Sequence, residues 1–157
     1  KWGKVVGSGV TLLTGEYNST LDEKGRIMIP SKIRTGITSN VLIVTQAIVD
    51  RCLWLFTPEE WEALSSKVLE NASPFSAKSR LVMRSFISPA QEIEFDKSGR
   101  LSIPLSLRSY ASLSKDCVIL GNGKYVELWD SASYEAYLTA NAENLLEASE
   151  ELNSISF

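Results

Sequence analysis

Two short runs of this chain place an arginine four residues after an aspartate, with a glycine immediately before the arginine: Asp22-Glu23-Lys24-Gly25-Arg26 and Asp96-Lys97-Ser98-Gly99-Arg100. Arginine presents a planar fork of donors that matches a phosphate or the edge of a guanine, which lysine cannot copy. An aspartate at the head of a turn accepts from backbone amides further on, and glycine reaches φ > 0 without penalty. These residue types suit a braced turn that grips a polyanion. They suit acid–base catalysis poorly, because neither aspartate has a companion carboxylate or a metal-ligand spacing beside it. Lys24, Arg26, Arg34, Lys97, Arg100 and Arg108 are the candidate DNA contacts, and Asp22, Gly25, Asp96 and Gly99 the candidate turn braces.

Other chemistry is thinly provided for. Histidine is absent, which removes Ser-His-Asp and Cys-His catalysis and most zinc sites. Cys52 and Cys117 lie among apolar residues outside any Cys-x-x-Cys. They read as small buried hydrophobes of a reducing cytoplasm. No glycine-rich loop of the kind that cradles nucleotide phosphates is present. The expectation is a non-enzymatic chain with no catalytic residue, no metal, no cofactor and no small-molecule substrate.

The elements that must hold the turns come in two copies. Residues 21–34 recur as residues 95–108, with the aspartate, glycine, arginine, isoleucine, proline and final arginine identical. Each copy predicts a strand, the turn, a second strand and a short helix opened by Pro30 or Pro104. A hairpin and a closing helix follow. Val41–Val44 and Cys52–Phe56 read as buried strands, matched by Cys117–Leu120 and Tyr125–Trp129 around a Gly121-Asn122-Gly123 turn. Thr57-Pro58-Glu59-Glu60 caps a helix to about Glu70, with Trp61, Leu64 and Val68 on its apolar face. A middle helix is expected over 77–86, and Asp130 caps a long acidic helix running to about Leu152. The four tryptophans read as core or interface rather than base-stacking platforms.

The predicted organisation is an N-terminal extension over 1–14, a first repeat over 15–61 and a helical connector over 62–90. A second repeat over 91–134 and a C-terminal acidic helix over 135–157 complete it. One half cannot bury both faces of its few strands. Two halves related by a pseudo-twofold would close a small α+β barrel with peripheral helices and remove the sheet edges.

The net charge of −3 argues mildly against a nucleic-acid partner. The basic residues are nonetheless concentrated. Residues 22–34 carry four bases against two acids, a net +2, and residues 96–108 three against one, again +2. Residues 141–151 hold four glutamates and no base, a net −4. Hydrophobic residues make up 44% of the chain, enough for a core. No apolar run approaches the ~18 residues of a membrane span.

Gly15-Glu16-Tyr17, then Leu21 to Arg26, Ile29-Pro30 and Arg34, with the second copy at Asp96 and Arg100, resemble the MraZ family of the AbrB-like swapped-hairpin superfamily. The resemblance covers about residues 15–140. It implies paired ββαββ half-modules, ring-shaped homo-oligomers and a nucleoid-associated place in the cytoplasm. It also implies binding to direct repeats in double-stranded promoter DNA, and control of the division and cell-wall gene cluster, usually as a repressor. The superfamily offers an alternative, an antitoxin-like module whose acidic tail binds a partner protein.

Overall fold

Alternating burial explains the short strands around the two turns. Ile27 and Ile29, and likewise Leu101 and Ile103, are buried, while Met28 and Ser102 between them face solvent. That period of two is what a half-buried strand shows. The computed structural model describes residues 12–155. The first half runs β1 (Leu13–Thr20), β2 (Arg26–Met28), α1 (Ser31–Arg34), β3 (Val41–Gln46), β4 (Leu53–Phe56) and α2 (Pro58–Asn71). A connecting α3 (Ala77–Val82) follows, extended by a π-turn over Met83–Ile87. The second half repeats the order with β5 (Gln91–Glu94), β6 (Arg100–Ser102), α4 (Leu105–Tyr110), β7 (Asp116–Gly123), β8 (Val126–Asp130) and α5 (Ser131–Ala140). A short α6 (Leu145–Ser149) comes last. The fold is α+β, its sheets antiparallel.

The halves exchange strands. The main sheet has the order β1-β7-β8-β4-β3-β5, and β2 and β6 form a separate ribbon. Interchanging the two halves reverses that order and leaves it unchanged. The pseudo-twofold passes through two equivalent pairs, Ile27 opposite Leu101 and Trp54 opposite Glu127. The first strand of each half finds its ladder only on the other half's hairpin, β1 on β7 and β5 on β3. Hydrogen bonding does not run continuously round a barrel as expected from sequence. The aspartate turns redirect the chain after β1 and β5 into the ribbon instead.

One core joins both halves: Ile27, Ile29, Ile33, Leu53 and Leu55 meet Leu101, Leu107, Ile119 and Leu128. The opposite face of the sheet carries aromatics. Trp54, Phe56, Trp61 and Phe86 pack with ring centroids 5.2–6.3 Å apart, the geometry of edge-to-face and tilted pairs. Trp129 packs with Tyr134 at 5.3 Å, beside buried Cys52. Thus Trp54, Trp61 and Trp129 sit among side chains, as expected; Trp2 lies outside the described residues.

The caps form where the sequence places them. Thr57 Oγ1 accepts from the Glu60 amide at 3.3 Å, and Asp130 Oδ2 from the Ser133 amide at 3.3 Å. Two expectations need correction. The long acidic helix breaks after Ala140, because Asn141 donates from Nδ2 back to the Tyr137 carbonyl (2.9 Å) and Asn144 bonds Asn141 (3.2 Å). Such side chains compete with the helical backbone ladder. The second hairpin turns one step later than expected, with the Asn122 amide donating to the Tyr125 carbonyl at 2.9 Å and Gly123 at φ 91°. Gly121 stays in β7 opposite Gly15, where an added Cβ would come within 2.6 Å of the Thr14 amide nitrogen. Of the extension expected over 1–14, residues 1–11 lie outside the described residues, and β1 begins at Leu13.

Candidate nucleic-acid interface

Each turn is built from its aspartate. Asp22 Oδ1 accepts from the amides of Lys24 and Arg26, both at 2.9 Å, and Oδ2 accepts from Arg26 Nε at 2.8 Å. Asp96 repeats this with the Ser98 and Arg100 amides and Arg100 Nε, all at 2.9 Å. The Gly25 and Gly99 amides close each turn on the aspartate's own carbonyl at 3.0 Å, with φ of 81° and 85°. The bond from the following arginine's amide is the main reason each carboxyl is held below its ordinary range, with that arginine's side chain adding to it.

The ribbon then sets both arginines on one face. Ile27 and Leu101 point into the core, so Arg26, Met28, Arg100 and Ser102 point outward. The register puts Arg26 opposite Ser102 and Arg100 opposite Met28, so the two guanidinium groups sit diagonally. Asp22 reaches both: Arg100 Nη1 lies 3.8 Å from Asp22 Oδ2. About 30% of each arginine side chain remains accessible, and Lys24 and Lys97 are exposed at the tips. This arrangement offers an outward pair of oriented guanidinium groups flanked by exposed ammonium groups.

Arg34 and Arg108 are placed differently. Both are half-buried, with Nε donating to the Ile29 and Ile103 carbonyls at 2.9 and 2.8 Å. The amides of those isoleucines donate to the opposite half's turn glycines, Ile29 to the Gly99 carbonyl (3.2 Å) and Ile103 to Gly25 (2.9 Å). Each guanidinium lies against the same glycine: a Cβ on Gly99 would meet Arg34 Cζ at 2.7 Å, and one on Gly25 would meet Arg108 Cζ at 2.7 Å.

Sequence reasoning missed one basic residue beside the first turn. A groove of about 690 Å³ is lined by Thr20, Asp22, Lys24, Arg26, Ser114 and Lys115. Lys115 is fixed there by its carbonyl, which accepts from the Leu21 amide at 2.8 Å. The equivalent place beside the second turn holds Asn40, whose carbonyl accepts from the Phe95 amide at 3.0 Å and whose Nδ2 donates to Glu94 at 2.8 Å. The lysine has no repeat partner, so the internal repeat gave no signal for it. The cysteines take no part. Both are buried, and burial pushes the Cys52 thiol far up and that of Cys117 to about 11.

The family model described as "MraZ protein, putative antitoxin-like" matches twice, over residues 12–85 and 86–154. A protein of Treponema denticola named transcriptional regulator MraZ is 52% identical over 145 residues, covering 92% of this chain and all of that protein. Proteins of the same name from two strains of Treponema pallidum are each 45% identical over 142 residues, 90% of this chain and 95% of theirs. With both halves matched and the relatives covered nearly end to end, this chain belongs to the MraZ family.

Proposed function

We propose that this chain is a DNA-binding transcription regulator, built on the swapped-hairpin plan of the AbrB-like superfamily, whose paired turns grip double-stranded DNA. The observation that carries the reading is the outward diagonal of Arg26 and Arg100, each oriented by its own aspartate. Arg26 and Arg100 read base edges or clamp phosphate, and Lys24 and Lys97 add phosphate contacts. The name shared by the Treponema relatives supports a role in transcription.

One chain offers two turns, which is little beside the roughly 600–1,000 Å² that even a single specific module buries on DNA. We therefore read the working form as a closed homo-oligomeric ring with the turns on one face. Such a ring fits direct repeats about 10 bp apart, one helical turn, rather than a palindrome. The reading extends to repression of the division and cell-wall gene cluster from its own promoter, on the nucleoid, without catalysis. A footprint on the duplex upstream of its own gene tests it. Protection of evenly spaced direct repeats, weakening steeply with salt, is expected. No protection at low salt, or protection of a single inverted repeat, overturns it.

A further inference from the structure

Two half-buried arginines, first expected from sequence to touch DNA, lie where they can do something else. We infer that Arg34 and Arg108 are positioning residues that act crosswise, Arg34 holding the second half's turn and Arg108 the first half's, without touching the nucleic acid. The inference deepens the reading of the turns as the DNA grip and rests on it.

The geometry is the same in both halves. Arg34 Nε donates to the Ile29 carbonyl, the Ile29 amide donates to the Gly99 carbonyl, and the guanidinium lies against Gly99. Arg108, Ile103 and Gly25 reproduce every contact. One peptide edge and one flat cation thus clasp the opposite turn at the residue just before its outward arginine. A glycine is needed on the receiving side for two reasons, its positive φ and the absence of a Cβ that would strike the guanidinium. An arginine is needed on the giving side because it must donate at Nε and lie flat at once. Lysine can donate from its ammonium, but it is a point charge on a flexible stem with no planar face to lay on the glycine at the same time. The turns' other bonds are largely their own: the aspartate's bonds to residues two and four on, and the glycine amide's bond to the aspartate carbonyl. Those fix the shape of the turn. The clasp fixes where that shape sits relative to the ribbon, and so where Arg26 and Arg100 point.

The test compares the full-length wild type with Arg108→Ala, Arg108→Lys and Arg34→Ala. The probe is the duplex upstream of the gene, titrated across a salt series, together with backbone hydrogen exchange of the two turns. For Arg108→Ala the expected result is a tenfold or greater loss of affinity with the log–log salt slope unchanged. Exchange should quicken at Lys24–Arg26 and stay as it was at Ser98–Arg100. Arg34→Ala should give the mirror image. Arg108→Lys should restore neither affinity nor protection. The inference is overturned if the slope falls by about 0.9 per engaged contact with both turns still protected, or if lysine restores wild-type binding, since either marks a direct phosphate contact. If Arg108→Ala fails to fold, Arg108→Lys decides: wild-type exchange at Lys24–Arg26 in that variant is equally fatal. A wild type that does not bind the duplex removes the DNA reading, while the crosswise exchange pattern still tells whether the clasp positions the turns.

Discussion

Arg26 stands at the point where two roles meet, since its Nε is held by Asp22 while 29% of its side chain stays open to solvent. A partly exposed ion pair of this kind contributes little to stability. Arg26→Ala should therefore melt close to wild type yet lose about 1–3 kcal/mol of binding per base contact, with Arg26→Lys recovering non-specific affinity better than specificity. Operator titration and thermal melting on the same sample check this; normal operator binding by a folded variant would remove the turn from the interface. Lys115 should behave differently. Lys115→Asn, which gives the first turn the neighbour that the second already has, should weaken all sequences alike and lower the salt slope, as loss of a phosphate contact does. Both aspartates predict a pH dependence. Their folded carboxyls titrate below the ordinary range, mainly through the amides of Arg26 and Arg100. The stability they supply is complete above the unfolded aspartate pKa of about 3.9 and drains away as pH falls through the lower folded value. Asp22→Asn and Asp96→Asn should accordingly melt below wild type at pH 7 and converge with it near pH 2. A gap that widens on acidification would contradict the assignment.

At the level of elements, the caps carry predictable weight. Asp130 caps α5 and also accepts from the Ser114 amide at 3.0 Å, tying β8 to the loop before β7. Asp130→Ala should cost about 0.5–2 kcal/mol from the cap, measurable by urea unfolding, and the bonds to Ser114 place the effect toward the upper end. A loss below the lower figure would mean that the cap is replaced by solvent. Much at this scale was legible in the chain itself. Period-two burial at Ile27 and Ile29, the Asp–Gly turns, and the Thr57 and Asp130 caps are all local, and local chemistry is what a sequence displays. What stayed hidden depends on partners distant in the chain. Gly121 reads as a turn residue until β1 is known to press on it. Arg34 and Arg108 read as free cations until the opposite glycine is known to lie beneath them. The break at Asn141 was local but quiet: two asparagines and one alanine-rich stretch leave helix and turn nearly balanced.

Across the whole molecule, strand exchange makes the two halves mutually dependent. β1 and β5 pair only across the pseudo-twofold, and the core draws on both repeats. The connector between α2 and α3, residues 72–76, takes part in no ladder and carries a nearly fully exposed Phe75. A chain of this plan amounts to a dimer of half-size subunits whose encounter has been made permanent by one peptide link. Severing that link between Pro74 and Phe75 should leave two fragments that stay together through their interleaved strands. Melting would then change character: the melting temperature of the nicked protein would climb more steeply with concentration than that of the intact one, because the tether no longer supplies the effective local concentration. Co-expressed as separate polypeptides, the same fragments should find each other and rebuild the paired turns. Either one alone should be driven to self-association, since its first strand would have only the hairpin of a second copy to lie against.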